Sequence, residues 1–125
     1  MTDEQPIDVV RRFCEAWGTL DLDEIIGFFS DDAVYHNIPL APVVGPDQIR
    51  ATIEGFSGGV EEIVFRVDNI AADGGTVMTE RHDIFTFANG EIDLPVMGTF
   101  EVAGGKITAW RDYFDMNQFM SQMPA

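Results

Sequence analysis

Apolar residues recur with the period of a helix along the first half of the chain, and with the period of a strand along the second half. In residues 3–20, Val10, Phe13, Cys14 and Trp17 share one side while Asp8, Arg11, Arg12 and Glu15 fall mostly on the other. That spacing predicts an amphipathic helix, which Thr2 or Asp3 can cap and whose first turn tolerates Pro6. Asp21-Leu22-Asp23-Glu24 has capping-box spacing. It predicts a short second helix with Ile25, Ile26, Phe28 and Phe29 toward the core, ended by Ser30-Asp31-Asp32. Residues 34–38 read as a strand, and Pro39 and Pro42 make an irregular loop. Gly45-Pro46-Asp47 then opens a third helix over 48–56, with Ile49, Ile53 and Phe56 in register and Ser57-Gly58-Gly59 as its stop.

Beyond Gly59 the alternation is extended. Residues 62–71, 76–87, 92–102 and 106–114 are predicted strands, separated by the hairpin signals Asp73-Gly74-Gly75, Asn89-Gly90 and Gly104-Gly105. A last helix starts near Asp115, a good N-cap. Its Met116, Phe119, Met120 and Met123 form a stripe expected to serve as core first and pocket wall second. Helices first and a long antiparallel meander afterwards imply an α+β fold, a sheet curled around helices as an open cone.

Three of the strands carry charge or polarity on an otherwise apolar face. In residues 76–87, Arg81 and Asp83 share a side with Val77, Thr79, Phe85 and Phe87, while Glu80, His82 and Ile84 point the other way. In residues 106–114, Asp112 shares a side with Thr108, Trp110 and Phe114, opposite Ile107, Ala109, Arg111 and Tyr113. In residues 34–38, Tyr35 and Asn37 lie together and His36 turns away. Buried charges are costly unless partnered, so the three faces are expected to converge on one pocket. Two carboxylates and one guanidinium in an apolar setting carry one net negative charge if all are ionised. Such a cluster should hold a proton near neutral pH, giving one acid and one base.

Composition narrows the function classes. With 125 residues, 46% of them hydrophobic and ten of them Phe, the chain is expected to form one ordered domain. A net charge of -15 with only seven Lys and Arg disfavours nucleic acid as a partner. The lone Cys14 reads as a small core residue, compatible with a reducing compartment. No leader-like or membrane-length apolar run is visible, which leads to the expectation of a cytoplasmic protein without membrane contact. His36 and His82 have no second His at ligand spacing, so no metal is expected. Both, like Arg111 and Tyr113, are expected on the outer surface or in a subunit contact.

Taken together, Tyr35-His36-Asn37-Ile38-Pro39-Leu40, Glu80-Arg81-His82-Asp83 and Trp110-Arg111-Asp112-Tyr113-Phe114-Asp115 resemble the limonene-1,2-epoxide hydrolase family. The resemblance implies an NTF2-like (SnoaL-like) cone and one-step addition of water to an epoxide without metal or organic cofactor. It implies that Tyr35 and Asn37 hold the water, Asp112 deprotonates it, Asp83 protonates the opening oxygen and Arg81 bridges the two carboxylates. His82 stands where a small or hydroxylated residue is usual in that family but faces outward, so the mechanism is expected to survive; the Asn89-Gly90 hairpin is shorter, and no N-terminal extension is expected to cover the pocket. The implied substrate is therefore a small or cyclic apolar epoxide other than limonene epoxide, walled by Phe85, Leu94, Val96, Phe114 and Phe119, in a homodimeric protein. Two other readings of the same fold are an isomerase or polyketide-type cyclase and a ligand-binding module without catalysis. The cyclase needs one base and an oxyanion donor and has no use for an Arg between two Asp residues; the binding module would keep its ligand after Asp83→Asn.

Overall fold

The structure is a computed structural model, and it describes residues 4–124. Helix α1 spans Pro6–Ala16 and continues as a 3-10 turn, Trp17–Thr19. Its N-cap is Gln5, which makes no side-chain capping bond; the caps read at Thr2 and Asp3 lie outside the described residues. Val9, Val10, Phe13, Cys14, Ala16 and Trp17 are buried, as the helical period requires.

Helix α2 is shorter than the sequence suggested, Leu22–Ile26. Asp21 caps it by accepting from the Glu24 amide, and Gly27 ends it. Phe28 and Phe29 are buried but lie beyond the helix, and Phe29 begins strand β1, Phe29–Asn37. Ser30, Asp31 and Asp32 thus belong to a strand rather than to a helix stop. Between Phe29 and Val34 the pairing register of β1 shifts, so the three polar residues are accommodated without breaking the strand. The Pro-flanked loop after Asn37 also contains a short strand, β2, Val43–Val44, paired antiparallel with β1. Helix α3 is Pro46–Ser57, and its buried face is Ile49 and Ile53.

Strands β3 (Val60–Asp73), β4 (Thr76–Phe87), β5 (Gly90–Ala103) and β6 (Lys106–Tyr113) form the antiparallel meander. The sheet order is β2-β1-β6-β5-β4-β3, with β1 parallel to β6, so the sheet is mixed and mostly antiparallel. The architecture is α+β: a six-stranded, curved, open sheet with helices at the N-terminal side and a C-terminal helix. Helix α1 packs across the concave face, where Phe13 meets Trp17, Phe28, Phe29, Phe100 and Trp110 edge to face.

Two departures from simple alternation follow from local geometry. Ile107, read as outward, is fully buried. The register slips between Glu101 and Val102, leaving Thr108 as an unpaired bulge residue whose hydroxyl donates to the Glu101 carbonyl. That bulge turns Ile107 inward, to the side that Trp110 already faces. The second departure is helix α4, Met116–Gln122, which buries no residue. Met120 and Met123 are exposed, and Met116 and Phe119 are half-buried, so the Met/Phe stripe is not core. Too few elements lie over this end of the sheet to cover a helix on both sides.

Candidate active site

The inner face of β4 reads Val77, Thr79, Arg81, Asp83 and Phe85, all buried. Strict alternation with no bulge in the β4–β5 pairing puts them there. Arg81 is 0% exposed, and Asp83 and Asp112 are each 4% exposed. Arg81 Nε donates to Asp83 Oδ1 at 2.9 Å and Nη2 to Asp83 Oδ2 at 2.8 Å. Across the sheet, Nη2 also donates to Asp112 Oδ2 at 2.8 Å, and Nη1 to Asp112 Oδ1 at 3.2 Å. Nη1 gives its other hydrogen to Thr79 Oγ1 at 3.1 Å, and Thr79 donates in turn to the Gly98 carbonyl. All five N–H donors of the guanidinium are therefore engaged. The plane lies against Phe65, 4.9 Å from the ring centroid, with Phe100 and Trp110 each at 5.9 Å.

Asp112 receives one further bond, from Trp110 Nε1 to Oδ1 at 2.6 Å. The same indole stacks on Tyr35 at 4.3 Å between centroids. Tyr35 and Asp112 sit on neighbouring strands, where Tyr35 pairs with Trp110 and Asn37 with Asp112. Tyr35 donates its hydroxyl to Asn37 Oδ1 at 3.2 Å. Parallel pairing of β1 with β6 thus delivers the Tyr35–Asn37 pair next to the second carboxylate.

The two carboxylates differ in environment. Among the described residues Asp83 accepts only from Arg81, whereas Asp112 accepts from both Arg81 and Trp110. Burial raises the Asp83 carboxyl to about 6 even though Arg81 pulls the other way, and the Asp112 charge adds to the rise. Burial opposes the charge on Arg81, but Asp112 and Asp83 more than offset this and keep its pKa well above the ordinary value. Burial, reinforced by Asp112, also pushes Tyr35 upward, so it stays a neutral phenol.

These groups form one end of a cavity of about 500 Å3, mouth included. Tyr35, Asn37, Asp83 and Asp112 line it, and so do Phe85, Leu94, Val96, Phe114 and Phe119, the five wall residues read from the sequence. Leu40, Phe56 and Phe65 complete the wall. The sequence pattern missed these three because Leu40 and Phe56 come from a loop and a helix end, and Phe65 enters only through the pairing register that sets it opposite Asp83.

Gly98 was also missed. On β5 it faces Asp112 on one side and Thr79 on the other. A Cβ there would stand 2.3 Å from Arg81 Nη1 and 2.6 Å from Asp112 Oδ1. The glycine is the space the guanidinium occupies. The available signal was a lone Gly at an inner-face position of a long strand, which often marks a close approach.

The remaining singled-out residues lie elsewhere. His82 bonds Asp93 Oδ1 through Nδ1 at 2.7 Å on the outer face, and His36 Nε2 meets the Leu40 carbonyl at 2.9 Å. Arg111 pairs with Glu101, and Asp115 caps α4 through the Asn117 and Gln118 amides. Among the described residues no three His, Cys, Asp or Glu side chains are grouped to hold a metal ion.

A curved mixed sheet closed by helices, with a polar cluster at the base of an apolar pocket, is the architecture of the NTF2-like proteins. An NTF2-like protein from Burkholderia pseudomallei K96243 superposes with a TM-score of 0.85 at 18% identity, over 98% of this chain and 100% of that one. A SnoaL-like polyketide cyclase, described as putative, from Shewanella putrefaciens CN-32 gives 0.83 at 16% identity, over 97% of each chain. At such identities the likeness is one of fold. Within that class the sequence model of the limonene-1,2-epoxide hydrolase catalytic domain matches residues 4–125, and the chain belongs to that family. The epoxide hydrolase EphG of Mycobacterium tuberculosis is 35% identical over 107 residues, which cover 86% of this chain and 71% of that protein. A solved LEH-like epoxide hydrolase of M. tuberculosis superposes with a TM-score of 0.81 at 32% identity, covering 94% and 87% of the two chains.

Proposed function

We propose that this epoxide hydrolase adds water to a small or cyclic apolar epoxide in one step, with Asp112 as base and Asp83 as acid. The observation that carries the proposal is Arg81 held between two buried carboxylates at the floor of an apolar pocket. An apolar wall with polar groups at one end suits an uncharged hydrocarbon body bearing one oxygen to be protonated. The water donates to Asp112 and to Tyr35 Oη, and accepts from the Asn37 amide nitrogen. Its oxygen forms the new bond to a ring carbon while that carbon's bond to the ring oxygen breaks. Asp112 takes the water's proton, and Asp83 gives its own to the leaving oxygen, yielding a vicinal diol.

Before the step Asp83 is protonated and Asp112 ionised; afterwards the reverse holds. The trio therefore keeps zero net charge throughout, and Arg81 contacts the charged carboxylate on either side. A carboxyl raised to about 6 is a competent acid near neutral pH. Acid and base catalysis each contribute roughly 10²–10⁴-fold, and no metal or organic cofactor is required by this chemistry.

Two further elements belong to the same proposal. The protein pairs as a homodimer through the outer sheet face, where Val64, Met78, Met97 and Tyr113 are exposed. It works in the cytoplasm, a reading supported by the free, buried Cys14. The test of function is diol formation from cyclohexene oxide, styrene oxide and limonene oxide. A shared loss of turnover in Asp83→Asn and Asp112→Asn, with the fold retained, is expected. Turnover above about a tenth of the parent's in either would remove that residue's role, since each positioned group is worth more than that.

A further inference from the structure

Strand β6 pairs with β5 only from Met97 to Ala103. Upstream of Met97, β5 runs on past the end of β6, and among the described residues no strand pairs with it on that side. Backbone N–H and C=O groups on such an edge need partners. At Asp93 the partner is a side chain: Gln122 Oε1 accepts from the Asp93 amide at 2.9 Å, and Gln122 Nε2 donates to the Asp93 carbonyl at 3.0 Å. One primary amide thus imitates the next strand. Gln122 Nε2 also donates to the Gln118 carbonyl at 3.0 Å, which ties the clamp to its own helix.

The clamp is a polar tie between α4 and the sheet. The helix buries no residue. One of its apolar contacts with the body is Phe119, one turn before Gln122, which packs edge to face on Phe114 at 6.3 Å. Phe119 and Phe114 both line the pocket, as does Leu94, the residue next to Asp93.

We propose that Gln122 is a specificity-determining positioning residue: its amide, bridging Asp93 at the open edge of β5, sets how far Phe119 stands over the pocket and so the size of ligand accepted. The nature of the ligand rests on the epoxide-hydrolase reading. Gln122 touches neither Arg81, Asp83 nor Asp112, so its effect falls on fit rather than on proton transfer.

The test uses two unstrained cyclic ethers that cannot be opened, tetrahydropyran as the compact probe and 2-phenyltetrahydrofuran as the bulky one, titrated by NMR. In Gln122→Ala the ratio of the two Kd values is expected to move by about fivefold or more in favour of the bulky ether, on the scale by which apolar pockets discriminate size. Phe119→Ala should shift it in the same direction, and the double variant should do no more than Phe119→Ala, as residues acting through one another do. The Asp93 amide should exchange with solvent faster in Gln122→Ala while the Phe100 and Trp110 amides keep their protection, and the pH profile of turnover should stay in place. A Kd ratio within about twofold of the parent's, full additivity with Phe119→Ala, or a parent protein that binds neither ether would overturn the proposal. A parent that binds both ethers yet opens no epoxide refutes the hydrolase reading and leaves the clamp to be judged on the ratio.

Discussion

Arg81 is the residue on which the site turns, because its five donors are divided between two carboxylates and one hydroxyl. Arg81→Ala leaves two buried carboxylates facing each other, and inactivity with a stability loss of about 3–5 kcal/mol is expected in chemical denaturation. Asp83 gives a pH signature with a definite sign. Its folded-state pKa, about 6, exceeds the unfolded value, so the folded chain binds the proton more tightly and this stabilisation is lost as pH rises toward and through about 6. Asp83→Asn should flatten that part of the stability–pH curve, and in the parent kcat/KM should fall above about pH 6 as the acid is lost. A parent whose kcat/KM is level from pH 5 to 9 would remove Asp83 as the acid. At Gly98 an added methyl meets the guanidinium and Asp112 head on, so Gly98→Ala should lower kcat at least as much as it lowers stability, about 1–3 kcal/mol for overpacking. Arg81, Asp83 and Asp112 were legible in the sequence because charges on an apolar face stand out. Gly98 and the Trp110 indole bond were not, since neither a missing side chain nor a donor reaching two residues along its own strand leaves a mark in the alternation.

At the scale of elements, strands were read well where pairing is regular and poorly where it slips. The inner row of β4 follows from period two alone, and β4 and β5 pair without a bulge from Thr76 to Phe87. In β6 the bulge at Thr108 reverses the facing of Ile107 while leaving Trp110 and Asp112 where alternation put them. A bulge depends on two strands at once, and one strand's pattern does not contain it. Helix α4 failed for a related reason: its apolar spacing is real, but whether a face is covered depends on what lies opposite. Its N-terminus was nonetheless readable, since Asp115 accepts from two amides of the first turn. Asp115→Ala should cost about 0.5–2 kcal/mol in thermal unfolding, and a change below about 0.2 kcal/mol would show that the cap does not hold the helix.

At the scale of the whole molecule, one aromatic-rich core and one curved sheet hold three strand faces in a common pocket. Tertiary packing explains why the pocket wall was only partly anticipated: Phe56 reaches Phe85 from the end of α3, and Phe65 reaches it through the β3–β4 register, which sets Phe65 opposite Asp83. The outer face of the same sheet exposes Met78, Met97 and Tyr113, and sedimentation at micromolar concentration should return twice the chain mass. A monomer mass would reject the paired assembly without touching the chemistry. Whether Asp112 activates a water that attacks the ring carbon is decided by single-turnover hydrolysis of styrene oxide in H2-18O with a metal chelator present. The expected result is one 18O atom in every diol formed in the first turnover, with formation abolished in Asp112→Asn. Unlabelled diol in that first turnover would mean that the oxygen came from a carboxylate, and labelled diol that stops with the chelator would mean a metal-bound water; either contradicts one-step hydrolysis by the Asp83–Arg81–Asp112 trio.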